Sequence, residues 1–198
     1  MDTKSKTTTR PLKVVIIGPE STGKSTLCTE LANHYQTIWC PEYAREYLLK
    51  HGTDYSFDDL LTIAKGQLDN EEAYTKQVMG NSQAVVNDQK LLFIDTDMYV
   101  MKVWCEFVFQ RCHLWILDQI VQRKYDLYFL CNIDLPWQKD ELREYPDLES
   151  RARLYHIYHD LMINQHTPWV KIEGNYEQRL QIAVKAVDEL LVKNATLK

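Results

Sequence analysis

The sequence predicts an α/β fold: a five-stranded parallel sheet with helices on both faces. Three observations lead there. Short apolar runs recur five times along the chain, and helical periodicities fill the stretches between them. That alternation favours parallel strands joined by helical crossovers. The first run is continuously apolar, as a strand buried on both faces is. Finally, a length of 198 residues with 45% hydrophobic and 26% charged residues suits one α/β domain with a solvated surface.

The first run, Leu12–Ile17, is rich in β-branched residues and stops at Gly18. Residues 26–35 follow as a helix. Residues 37–40 form a second strand, ended by Pro41. Residues 42–50 are helical, with His51-Gly52 as the stop signal. Ser56 reads as the cap of the next helix, and Asp59, three residues on, completes a loose capping box. Phe57, Leu60, Leu61, Ala64 and Leu68 share one face of that helix, which runs to about Met79. Residues 91–94 are another buried strand, followed by Asp95-Thr96-Asp97. Residues 98–110 and 114–123 are helices, and 127–131 a strand. Residues 136–150 break the pattern: charged, with two prolines and no apolar period. A helix over 151–164, a strand over 169–172 and a last helix marked by Leu180, Ala183, Val187 and Leu191 complete the chain.

Residues 1–11 are expected to be a disordered tail, polar and threonine-rich, without the apolar region of a secretory signal. Residues 12–195 are expected to form one domain, with a mobile lid at about 136–153. The net charge of −5 argues against a general nucleic-acid binder, since phosphate backbones recruit basic faces. The apolar runs are too short to span a bilayer. The five cysteines lack C-x-x-C spacing, which reads as free thiols in a reducing cytoplasm.

The chemistry begins at Gly18-Pro19-Glu20-Ser21-Thr22-Gly23-Lys24-Ser25, a G-x-x-x-x-G-K-S loop. Glycines let the backbone wrap around phosphates, and the N–H groups at the helix start supply positive potential. Gly18, Ser21, Thr22, Gly23, Lys24, Ser25 and Thr26 are therefore the expected ATP-binding set. Lys24 reaches the β and γ phosphates, and the Ser25 hydroxyl ligates Mg²⁺. The loop follows a strand and opens a helix, the context this motif requires.

Asp95 follows an apolar strand. It can hold Mg²⁺ as in a Walker B site, or simply cap the next helix. Asp97 can contact substrate hydroxyls or act as the cap. Glu42 starts a helix just past the second strand, where doubly wound sheets bind ligands. It is the first choice for the base that takes a proton from a substrate hydroxyl, with Asp95 second. The bland alternative is a first-turn glutamate favoured by the helix dipole. Arg45, one turn on, can pair with Glu42 or grip substrate. Tyr43, with Tyr47, Tyr55 and Trp137, can stack on a base. Lys139, Arg143, Arg151 and Arg153 cluster in and after the lid. Arg143 and Arg151 are the leading candidates for the arginine that stabilises phosphoryl transfer; otherwise the cluster is a solvated loop.

Two constellations read as packing. His156-Ile157-Tyr158-His159 lies within a late helix, with Tyr158 where an adenylyl transferase motif needs glycine. Trp104, Cys105, Cys112, His113 and Trp115 suit contact between two helices better than a metal.

Taken in order, the loop Gly18 to Ser25, then Pro41-Glu42-Tyr43-Ala44-Arg45-Glu46, then Phe93-Ile94-Asp95-Thr96-Asp97 resemble the nicotinamide riboside kinase domain of bifunctional NadR-type proteins. Asp134-Leu135-Pro136-Trp137, with Asp140, Leu142 and Arg143, is similar to the segment leading into that family's lid. The resemblance runs from about Leu12 to Leu191. It implies a P-loop kinase fold and ATP-dependent 5′-phosphorylation of nicotinamide riboside in NAD salvage. It further implies Lys24 and Ser25 at the phosphates and metal, Asp95 at Mg²⁺, and Glu42, Arg45 and Asp97 near the nucleoside. The family's adenylyltransferase domain precedes its kinase; only a short tail precedes it here, so that activity and a DNA-binding region are expected to be absent.

Two further readings stand beside this one. One is a kinase for another nucleoside or small metabolite, which shares every phosphate-handling residue. The other is a P-loop ATPase or switch acting with a protein partner. Against the latter, there is no N-K-x-D, and Thr96 rather than a second acidic residue follows Asp95.

Overall fold

The computed structural model describes residues 10–82 and 84–196. Five strands, β1 (Leu12–Ile17), β2 (Ile38–Cys40), β3 (Leu91–Asp95), β4 (Leu127–Cys131) and β5 (Trp169–Ile172), form one sheet in the order β2-β3-β1-β4-β5. Every pairing is parallel. The helices are α1 (Lys24–His34), α2 (Tyr43–His51), α3 (Phe57–Gly80), α4 (Met98–Phe109), α5 (Leu114–Gln122), α6 (Leu148–Asn164) and α7 (Tyr176–Thr196).

Side-chain alternation along each strand divides the core between the two faces of the sheet. Val14, Ile16, Phe93 and Phe129 pack with Leu27 and Leu31 of α1 and Ala183 and Val187 of α7. Val15, Ile17, Ile94 and Leu130 pack with Val78 of α3, Val103 of α4, and Leu154 and Met162 of α6. Phe93 and Phe129 are completely buried, and burial of each such ring stabilises the fold by about 1.5–3 kcal/mol. A third cluster joins α2, α3, α4 and α5 through Leu48, Leu60, Ile63, Met101 and Ile116.

The element boundaries follow from local chemistry. Helix α1 begins at Lys24, two residues before the expected start at 26, because Leu27 N–H already bonds the Gly23 carbonyl at 3.0 Å. Ser56 and Asp59 form the full capping box of α3: Ser56 Oγ accepts from Asp59 N–H, and Asp59 Oδ2 accepts from Ser56 N–H. Helix α6 begins at Leu148 rather than at residue 151, since Asp147 Oδ1 accepts from Ser150 N–H at 2.7 Å and caps it. The irregular part of the charged segment therefore ends at Asp147. Residues 1–9 of the expected tail lie outside the described residues. Arg10 and Pro11 do not behave as tail: Pro11 is buried, and the Arg10 guanidinium forks onto Asp126 with two bonds of 2.7 Å. Among the described residues no helix is long and apolar enough to cross a membrane.

The order of strands positions the site. From β1 the chain moves to β2 and β3 on one side of the sheet, then crosses back to β4 and β5 on the other. The carboxyl end of β1, flanked by those of β3 and β4, is the switch point where such sheets bind ligands.

Candidate active site

Residues 18–25 turn tightly between β1 and α1. Gly18 is required there by close approach: a Cβ would lie 2.8 Å from the Cys131 carbonyl oxygen on β4, and the residue has a φ of +140°. Ser21 takes the left-handed conformation, φ +56°. Thr22 Oγ1 donates to the Pro19 carbonyl at 2.7 Å, and Lys24 Nζ donates to the same carbonyl at 3.0 Å. The loop is thus held open as a concave turn with its N–H groups at the start of α1, an anion cradle.

On the neighbouring strand, Asp95 ends β3 beside Ser25. Ser25 Oγ donates to Asp95 Oδ2 at 2.5 Å, while Asp95 Oδ1 is buried without a partner. An orphaned carboxylate oxygen beside a serine hydroxyl suits a hard divalent cation. Mg²⁺ takes one or two protein oxygens and leaves the remaining positions to phosphate and water. Burial raises the Asp95 carboxyl, against the pull of Lys24 and the bond from Ser25. Thr96, next in the chain, sits at φ +69° although β-branched, a strain of about 1–3 kcal/mol.

Glu42 stands at the N-cap position of α2 but makes no capping bond with its side chain. It lines the cleft instead. Withdrawal from water pushes its carboxyl up to about 7; the charge of Asp95 adds to the rise, and Lys24 and Arg45 oppose it. A carboxyl poised near neutral pH can both hold and release a proton there.

The cleft encloses about 270 Å³. The phosphate loop forms one end. Leu48, Val103, Trp104, Phe107, Tyr145 and Tyr158 wall the other, a surface suited to a flat ring. Arg143 reaches in from the charged segment. That segment is docked on the phosphate loop itself. Glu20 accepts from Tyr145 N–H at 2.7 Å, Glu144 N–H at 2.9 Å and Trp137 Nε1 at 3.3 Å. Gln138 N–H bonds Ser21 Oγ at 2.9 Å. Arg45 meets Asp140 of the segment through two bonds of 3.1 and 3.2 Å, so its guanidinium is engaged there and not by Glu42.

Several expected residues lie elsewhere. Asp97 is not among the residues lining the cleft. It caps α4, with Oδ1 accepting from Tyr99 N–H at 2.9 Å and Oδ2 from Tyr128 OH at 2.7 Å, and burial pushes it up to about 7. It thus fills the helix-cap position that the sequence allowed for it. Tyr43 also turns from the cleft, its ring against Gly66. Tyr47 bonds Asp59, and Tyr55 bonds Glu144. Arg151 is buried beneath the segment, with Nη2 on the Leu135 carbonyl at 3.3 Å and Nε unpartnered. Trp104, read as packing, lines the cleft, as does Tyr158 from the histidine-flanked helix motif.

Two buried residues escaped the sequence. Arg179 of α7 donates to the carbonyls of Thr22 at 2.8 Å, Asn132 at 3.0 Å and Gly174 at 2.8 Å, and pairs with Asp134, tying the phosphate loop to the ends of β4 and β5. Gln67 of α3 bonds the backbone on both sides of the Glu42–Asp95 corner. Neither belongs to a local motif; their partners are distant in the chain.

Fold and site together are those of a P-loop nucleotide-binding domain. A family model described as AAA domain matches residues 13–179, and the chain belongs to that family. It is 30% identical over 184 residues to the trifunctional NAD biosynthesis/regulator protein NadR of Escherichia coli, a match covering 90% of this chain and 42% of that protein. The chain therefore spans less than half the length of this curated relative. Among solved structures, a crystal structure of NadR protein in complex with NR superposes with a TM-score of 0.72 at 22% identity, over 91% of this chain and 51% of the other. Deoxyadenosine kinase from M. mycoides with bound dATP gives 0.62 at 12% identity, over 89% and 99%. The fold is that of the small-molecule P-loop kinases.

Proposed function

We propose that this chain is a cytoplasmic, ATP-dependent kinase that phosphorylates the 5′-hydroxyl of nicotinamide riboside, giving nicotinamide mononucleotide in NAD salvage. One observation carries the reading: a single cleft joins the phosphate loop to Glu42, whose carboxyl burial raises to about 7. The likeness to NadR supports the choice of acceptor.

In this reading the acceptor oxygen attacks the γ phosphorus. The bond from that phosphorus to the β–γ bridging oxygen breaks, and ADP leaves. The hydroxyl proton passes to Glu42, which near pH 7 is both partly ionised and basic enough to accept it. Lys24 and the loop N–H groups hold the β and γ phosphates. Ser25 and Asp95 would hold Mg²⁺, which when bound offsets phosphate charge. Arg143 brings positive charge to the transferring group, and the docked segment acts as a lid that excludes water.

A second reading, phosphorylation of another nucleoside, rests on the apolar end of the cleft. Leu48, Val103 and Phe107 accept a flat ring without selecting one. The purified chain given ATP and a panel of nucleosides tests both. Phosphorylated nicotinamide riboside is expected by mass spectrometry, and Lys24→Ala should abolish it. Product from a different nucleoside alone moves the acceptor to that compound. ATP hydrolysis with no phosphorylated product favours a partner-driven ATPase.

A further inference from the structure

We propose that Gln67 is a positioning residue: its buried amide clamps the start of α2, which carries Glu42, to the turn that carries Asp95, and so sets the spacing of the two carboxylates. The inference rests on the kinase reading above for its catalytic consequence and on the packing of α3 for its geometry.

Gln67 does not line the cleft and is 2% exposed. Every polar atom of its amide is used. Oε1 accepts from Tyr43 N–H at 2.7 Å. Nε2 donates to the Asp95 carbonyl at 3.3 Å and to the Thr96 carbonyl at 3.2 Å. Buried amides are commonly satisfied in this way; the identity of the partners is what matters here.

The first partner explains Glu42. The opening N–H groups of a helix need acceptors, and an N-cap side chain serves only the second or third of them. Glu42 occupies the N-cap position yet makes no such bond. Gln67 supplies, from another helix, the acceptor for the first of these donors, Tyr43 N–H, and so pins the start of α2 while the Glu42 carboxylate faces the cleft.

The second pair of partners explains the Asp95 turn. Thr96 holds a left-handed conformation that β-branched residues avoid. Its N–H bonds the Ile16 carbonyl at 3.1 Å. With Gln67 on its carbonyl, the strained peptide is held from both sides, and Asp95 is fixed beside Ser25. The preceding residue completes the seat. A Cβ at Gly66 would lie 2.1 Å from Tyr43 Cε1, so only glycine admits the ring of the residue whose N–H is clamped. Gly66-Gln67 is thus a two-residue docking point for the corner that bears the base.

The test uses the full chain with Gln67→Met, which keeps size and removes the bonds to Tyr43, Asp95 and Thr96, and Gln67→Glu, which keeps the acceptor for Tyr43. Amide exchange read by NMR comes first and needs no turnover. Tyr43 N–H should exchange faster in Gln67→Met while the β1 and β4 amides keep their protection. In assays, kcat should fall about 10²-fold in Gln67→Met, the cost of misplacing a catalytic group by about 1 Å, with the KM for ATP unchanged. Gln67→Glu should recover part of the loss. Unaltered Tyr43 exchange in Gln67→Met overturns the clamp. So does a kcat that holds, or one that falls together with ATP affinity in both variants, which is the signature of general destabilisation. If Gln67→Met does not fold, Gln67→Glu decides: kcat reduced with the KM for ATP unchanged supports the clamp, and parental kcat refutes it. If the parent phosphorylates no nucleoside, the kinase reading fails, and the exchange comparison still decides the clamp.

Discussion

Glu42 begins a helix just past the end of a strand, and its surroundings set its proton affinity. The folded carboxyl titrates at about 7 against an ordinary value of 4.5. Between those values the folded chain binds a proton that the unfolded chain has released. Stability therefore falls as pH rises through that window, and the whole cost is present above about 7. Glu42→Gln is expected to stabilise the fold by about 1–3 kcal/mol at about pH 8 and to leave it unchanged at about pH 4. Urea unfolding at both values checks this. The same variant should lose about 10²–10⁴-fold in kcat, together with the acid limb near pH 7 of the parent's rate profile. The place of Lys24 and Ser25 at the loop and of Asp95 beside them was legible in the sequence, because a short motif and a strand end encode those positions. The cap made by Asp97 was one of two readings, because an acidic residue two past a strand reads equally as ligand or cap. Tyr128, whose hydroxyl occupies Asp97, lies 31 residues away. Gln67 and Arg179 carry no local signal at all, since their roles arise from backbone groups brought to them by the fold.

The charged segment proposed as a lid is bound to the phosphate loop. Glu20 gathers N–H donors from both ends of the segment, one from Trp137 and two from Glu144 and Tyr145. Hydrogen bonds to a charged acceptor contribute about 1.5–3 kcal/mol where shielded and less at a surface such as this. Glu20→Ala should loosen both ends together. We expect faster proteolysis between residues 137 and 145 and a larger fraction of ATP lost to water rather than to acceptor. Equal cleavage rates in variant and parent would count against the latch. The segment was recognisable in the sequence as a break in periodicity, since charge and proline prevent an apolar face. Its docking on Glu20 was not, because two of the three bonds come from backbone N–H groups that any residue provides. Helix starts were misjudged for a related reason. The apolar period of α6 begins after its first turn, so only the Asp147 cap reveals where the helix starts.

The five strands and their parallel direction were readable from alternating apolar runs and helical periods. Their order was not, because nothing local tells β1 to lie between β3 and β4. That order makes the phosphate loop the meeting point of three strands, so a ligand bound there should stabilise the entire sheet. A nonhydrolysable ATP analogue with Mg²⁺ at about 100 times its Kd should contribute about 2.7 kcal/mol and raise Tm by about 5–10 °C. Scanning calorimetry measures the shift, and Lys24→Ala should remove most of it.

The same order has a consequence for synthesis. Leu12 pairs with Leu91, Val14 pairs with Leu127, and Arg179 bonds the Thr22 carbonyl. The phosphate loop is synthesised well before the groups around it: its walls arrive only with β4 and its anchor only with α7. Contacts this distant in the chain form late and slow folding. Nascent chains halted before residue 176 contain every residue of the loop and should still fail to retain ATP. Nucleotide capture then reports that translation has reached the last helix.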